Sequence, residues 1–130
     1  ARSKAASAAY RAMLLAEPTD PAARVGLARV LLAARGNEAE ARELLSGVEF
    51  GDFAPEAERL GAILALREHP ADPLPPGTDG ASCLEKGRVL ASRGAYEPAL
   101  EALLEAAEHD RALGRGPVRE LMLKVFAVIG

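Results

Sequence analysis

Apolar residues along this chain recur at three- and four-residue spacing, the period of a helix, and nowhere alternate as a half-buried strand requires. The first such segment covers about 3–16, with Ala6, Tyr10 and Met13 on one side, and stops at Pro18. Thr19-Asp20-Pro21 then signals a new start, because Asp20 can cap and proline fits the first turn. The second helix runs to about Ala34, with Leu27, Ala28, Leu31 and Leu32 inward, and ends near Gly36. Asn37 opens a third, with Glu40 placed to complete a capping box and Ala41, Leu44, Leu45 and Val48 inward. A fourth is expected over about 55–68, with Leu60, Ile63, Leu64 and Leu66 on its buried face. The stretch 69–80 has four prolines and two glycines and reads as a loop. A fifth helix follows over about 81–92, ended by Gly94, and a sixth over about 96–109.

The last segment is the most strongly patterned. A hinge at Gly114 and Gly116 leads to Pro117, and beyond it Val118, Leu121, Met122, Val125, Phe126 and Ile129 form one apolar stripe. Leu123 and Ala127 carry apolar character past that stripe. The pattern predicts a helix that packs by Leu121, Met122, Val125 and Ile129 and leaves Leu123, Phe126 and Ala127 available to a partner. Asp110, Arg111 and Arg119 are placed to form an ion-pair latch on it.

Seven helices of ten to fifteen residues joined by short turns invite a search for a period. Gly36 pairs with Gly94, Ala41 with Ala99 and Leu45 with Leu103, each 58 residues apart. Ala6, Tyr10 and Met13 pair with Ala41, Leu45 and Val48 at a shift of 35. A small residue recurs where helices approach closely, and a large one recurs a turn later. These are the mechanics of a tetratricopeptide-type repeat, nominally two antiparallel helices in 34 residues. The expected fold is all-α: antiparallel helical hairpins stacked as a right-handed superhelix over 1–130, with a C-terminal capping helix. The tryptophan of the repeat pattern is missing, and the first hairpin lacks its leading helix.

Composition agrees. Alanine supplies 28 positions and leucine 19, while valine, isoleucine and threonine together supply 11, which favours helices over strands. Net charge is −3 with both signs mixed, so no basic block is present to neutralise a row of phosphates, and nucleic acid is not an expected partner. No apolar run approaches the length of a membrane span. A lone cysteine forms no internal disulfide, which fits a cytoplasmic location. The absence of an initiator methionine suggests a domain cut from a longer protein.

Three groups of residues, taken in order, carry a further likeness. They are Glu17-Pro18-Thr19-Asp20-Pro21 with Leu27-Ala28, Gly36, Ala41 and Leu44-Leu45; then Gly94, Ala99-Leu100 and Leu103-Leu104; then Asp110-Arg111, Gly116, Arg119, Leu123, Phe126 and Gly130. This order resembles the C-terminal half of the bacterial YbbN family, the chaperedoxins, which join a thioredoxin domain to a tetratricopeptide-like tail. The resemblance implies a non-enzymatic holdase that binds unfolding clients and passes them to the chaperonin and the Hsp70 system. It also implies a thioredoxin domain of the same protein as a neighbour. Two departures stand out: the proline-rich loop occupies the place of a further helix in relatives, and the first hairpin is short.

Candidate chemistry is sparse. Cys83 has no CxxC companion, so its simplest role is a small buried apolar residue. His69 and His109 have no second ligand nearby, and no cofactor or metal is expected; His109 suits a helix C-terminus. Glu108-His109-Asp110 has no nucleophile, and adjacent helical residues point apart. No catalytic residue is expected. Arg24, Arg29, Lys86 and Arg88 lie on the leading helices of the complete hairpins, where they could line a concave groove for acidic peptides or serve as ordinary solvated charge. A clamp for chaperone C-terminal carboxylates needs several asparagines, and Asn37 is the sole one. The alternative to the co-chaperone module is a structural scaffold domain, dimerising through the truncated N-terminal hairpin.

Overall fold

The computed structural model describes residues 2–130, and these form eight helices and no strand. They are α1 (Arg2–Ala16), α2 (Pro21–Leu32), α3 (Glu38–Ser46), α4 (Ala54–Leu66), α5 (Gly80–Ser92), α6 (Tyr96–His109), α7 (Arg111–Arg115) and α8 (Pro117–Ile129). The fold is an all-α helical repeat. The extra helix is α7, in the stretch expected to be a hinge. Its single turn forms because the Asp110 carboxylate accepts from the Ala112 N–H at 2.9 Å, while Leu113 packs into the core beneath it. The chain folds as two compact units, one ending at Gly61 and the other running from Ala62 to Gly130.

In the first unit α2 is the buried element. Asp20 caps it, accepting from the amides of Ala22 and Ala23, and Ala23, Val25, Leu27, Ala28, Leu31 and Leu32 are all buried. Helices α1 and α3 pack on either side of it. Ala41, Leu44, Leu45 and Val48 are inward as the spacing predicts. Tyr10 of α1 packs against Gly26, where a Cβ would run into its ring. The third residue expected on that face, Met13, is instead exposed, and Leu14 is half-buried in its place. Leu14 lines an apolar cleft with Leu27 and Leu44, while Arg11 reaches Glu40 of α3 at 2.7 Å across the same cleft. That ion pair also takes Glu40 away from the capping box. Asn37 makes no side-chain cap bond, and Glu38 turns back to accept from the Gly36 amide at 2.8 Å.

In the second unit α5 and α6 form a hairpin that repeats the α2–α3 arrangement. Gly94 ends α5's turn at φ 81°, as Gly36 does at φ 104° after α2; both conformations favour glycine. Ala99 and Leu103 are fully buried at the positions taken by Ala41 and Leu45. Here the close approach is made at a glycine. A Cβ on Gly87 of α5 would lie 2.5 Å from Cδ2 and 2.6 Å from Cγ of Leu103, and 3.3 Å from the carbonyl oxygen of Ala99. Glycine at this position therefore sets the distance between α5 and α6.

Gly87→Ala is expected to destabilise the protein despite alanine's better helix propensity. Overpacking costs about 1–3 kcal/mol, against a propensity gain of about 1 kcal/mol. Gly61→Ala in α4, where a Cβ meets nothing within 4 Å, is expected to stabilise by up to about 1 kcal/mol. Urea denaturation of the two variants beside the parent chain checks the opposite signs.

Candidate functional site

Helix α8 starts at Pro117, whose missing N–H costs nothing at a first helical position, and packs on both α5 and α6. Its buried residues, Val118, Val125 and Val128, join two clusters. Val125 and Val128 meet Leu66, Ala91 and Ala99, while Val118 meets Cys83, Leu103 and Ala106. Leu121 contributes to both, and Met122 to the second. One expected inward residue differs. Ile129 is 48% exposed and Val128 takes its place. Val128 is 7% exposed and joins Val125 in the cluster with Leu66, Ala91 and Ala99.

Leu123, Phe126 and Ala127 all stand on the outer side of α8, and the first two are 50% and 49% exposed. With Ile129 they make an apolar strip that the second unit leaves uncovered. The latch does not form. Asp110 serves α7 as its cap, and the described residues contain no ion pair between Asp110 and Arg111 or Arg119.

The four groove candidates have internal partners. Arg24 donates to the carbonyls of Leu44, Pro18 and Glu43 at 2.8–3.0 Å, closing the end of α3 and the α1–α2 turn. Arg29 pairs with Glu56 at 3.3 Å. Lys86 donates to the Gly77 carbonyl at 2.8 Å. Arg88 donates to the Glu68 carbonyl at 2.9 Å, to Asp72 at 2.7 Å and to Glu85 at 2.6 Å. The bond to Glu85 is the largest cause of an Arg88 pKa raised above its ordinary value, and in turn it holds the Glu85 carboxyl below the carboxylate range. Arg93, not singled out from the pattern, donates to the carbonyls of Pro70 and Asp72, both at 2.7 Å. Two cations of α5 and a third at its C-cap, Arg93, thus strap down the proline-rich loop. The signal was present in the sequence: prolines remove N–H donors, so the loop's carbonyls must find donors elsewhere.

Cys83 is buried, with Sγ 3.6 Å from the Thr78 carbonyl oxygen and 3.7 Å from a Glu105 carboxylate oxygen. Burial first, and then the Glu105 charge, push its thiol pKa up. His69, at φ 51°, and His109 are both exposed. The described residues hold no cluster of three metal-ligating side chains, and no helix among them is long and apolar enough to cross a membrane.

A family model described as a tetratricopeptide repeat matches residues 77–130, which contain α5 to α8. No curated protein and no solved structure matches the chain. The class of protein that fold and match define is a tetratricopeptide-like helical-repeat domain. Repeats of this kind place a small residue and a large one four positions later on facing helices, as Gly87, Ala99 and Leu103 do here.

Cys83 is expected to resist thiol reagents in the folded chain and to react at the rate of global unfolding. Labelling with a disulfide reagent at pH 8, with and without urea, checks this; fast labelling of the native chain would contradict the packing described.

Proposed function

We propose that this chain is the protein-interaction domain of a thioredoxin-like co-chaperone, docking through the outer face of α8. Unfolding clients and the chaperonin or Hsp70 are the partners, and the thioredoxin domain lies elsewhere in the same protein. The observation that carries the docking reading is the half-exposure of Leu123, Phe126 and Ile129 on a helix whose other face is committed to the core. Three large apolar side chains left uncovered on one helix are what a partner's apolar surface would bury. The co-chaperone reading rests in addition on the YbbN resemblance. The internal bonds of Arg24, Lys86 and Arg88 favour α8 over a basic groove as the contact surface.

A second reading is a scaffold domain that self-associates through α1. It is favoured by Leu15, 88% exposed, and by exposed Met13 on the same helix.

The test is capture from a bacterial lysate by the parent chain and by a Leu123→Ser/Phe126→Ser double variant, which leaves Val118, Val125 and Val128 in place. The parent chain is expected to retain chaperonin or Hsp70, identified by mass spectrometry, and the double variant to lose them. Retention of neither by the parent chain sinks the co-chaperone reading. A chain that dimerises in sedimentation, and does so less after Leu15→Ser, would favour the scaffold.

A further inference from the structure

The charges around the exposed face of α8 specify more than its apolar strip does. Residues 111–130 carry four cations, Arg111, Arg115, Arg119 and Lys124, against one carboxylate, Glu120, in a chain whose net charge is −3. All four cations are exposed, and none makes an ion pair or side-chain hydrogen bond among the described residues. Lys4 and Arg42 are likewise exposed without such a partner, whereas Arg11, Arg24, Arg29, Lys86, Arg88 and Arg93 each have an internal one; only residues 111–130 gather four such cations in one stretch. Even Lys124, four residues after Glu120 and so on the same side of the helix, is unpaired.

Helical spacing fixes how charge and apolar strip interleave. Arg119 lies one turn before Leu123 and two turns before Phe126, in line with the strip; Glu120 stands next to Ala127 at its edge, and Lys124 lies beyond Glu120. On this side α8 thus sets two unpaired cations, one within the strip and one outside it, against a single carboxylate at its edge.

We infer that the outer face of α8 binds an acidic amphipathic helix of a partner protein. The partner's apolar side covers Leu123, Phe126 and Ile129, and its carboxylates meet Arg119 and Lys124. This deepens the docking reading of α8 given above and rests on it. Recognition of an amphipathic helix draws affinity from apolar anchors and its choice of partner from the charges beside them.

Two other occupants fit less well. A second copy could offer the outer stripe of α6, where Glu97, Glu101 and Glu108 are exposed, but Leu104 is the only large apolar side chain there to set against three. An anionic membrane surface would also attract the cations. An interfacial helix, however, lays a whole apolar face into the lipid, and the more apolar face of α8 is held by the hairpin.

The experiment uses the full chain and two designed fluorescent helical peptides with the same leucine face, one with glutamates opposite and the other with lysines. Anisotropy titrations are expected to give binding of the acidic peptide at least about tenfold tighter than the basic one. That preference should shrink as salt rises from about 50 to about 500 mM. Arg119→Glu/Lys124→Glu should reverse the preference with the circular dichroism spectrum unchanged, and Phe126→Ser should weaken both peptides. Equal binding of the two peptides overturns the charge specificity while leaving α8 an apolar docking face. Binding of neither overturns the inference, while the lysate capture decides the broader reading separately. Co-sedimentation with phosphatidylserine vesicles, or dimerisation of the chain, abolished by the charge reversal would also overturn it by giving the face another occupant.

Discussion

The contact on which the second unit depends is that of α8 with the small residues lining the α5–α6 hairpin. Ala91, Ala99 and Ala106 are buried, and Gly87 brings Leu103 within van der Waals reach of α5. Small side chains let two helices approach closely but leave a shallow, flat surface where a third must fit. Val118, Val125 and Val128 fit it because valine is short, stiff at χ1 and wholly apolar. Helix α8 covers the side of the α5–α6 hairpin on which these small residues lie. Leu121 and Met122 pack beside those valines, while Leu123, Phe126 and Ile129 lie on the outer side.

Charge is used in two ways. In the first unit Arg24 satisfies three backbone carbonyls at once, and in the second Lys86, Arg88 and Arg93 do the same for a loop whose prolines cannot donate. Guanidinium groups suit this work because five donors in a rigid fork can serve several acceptors. Along α7 and α8 the cations have no such employment. Solvated and unpaired, they add little to stability and remain free to select a partner.

Much of this was legible in the sequence because it follows from periodicity and from backbone chemistry. Asp20-Pro21, Gly36 and Gly94 mark helix ends by mechanisms that act within a turn, and the 58-residue pairing of Ala41 with Ala99 and Leu45 with Leu103 places the two hairpins. The outward position of Leu123, Phe126 and Ala127 also followed from phase along one helix. The rest depended on partners distant in the chain. Met13 yields its place to Leu14 where Arg11 reaches Glu40, 29 residues away, and the same bond removes Glu40 from its cap. Arg88 and Arg93 turn to loop carbonyls some twenty residues earlier. Long cationic side chains choose among acceptors that local spacing does not reveal. Val128 rather than Ile129 is inward in the last turn, and either fits the three-to-four-residue spacing from Val125, so the pattern within α8 does not choose between them.

The separation of α8 into a structural and a recognition face is tested most directly by equilibrium urea denaturation of Val125→Ala and Phe126→Ala. These substitutions sit on adjacent residues of one helix. Val125→Ala removes fully buried methyl groups and should cost about 2 kcal/mol. Phe126→Ala, although it deletes far more side chain, should change stability by no more than about 0.5 kcal/mol. Equal losses from the two, or a larger loss from Phe126→Ala, would mean that the outer face already belongs to the core and has nothing left to offer a partner.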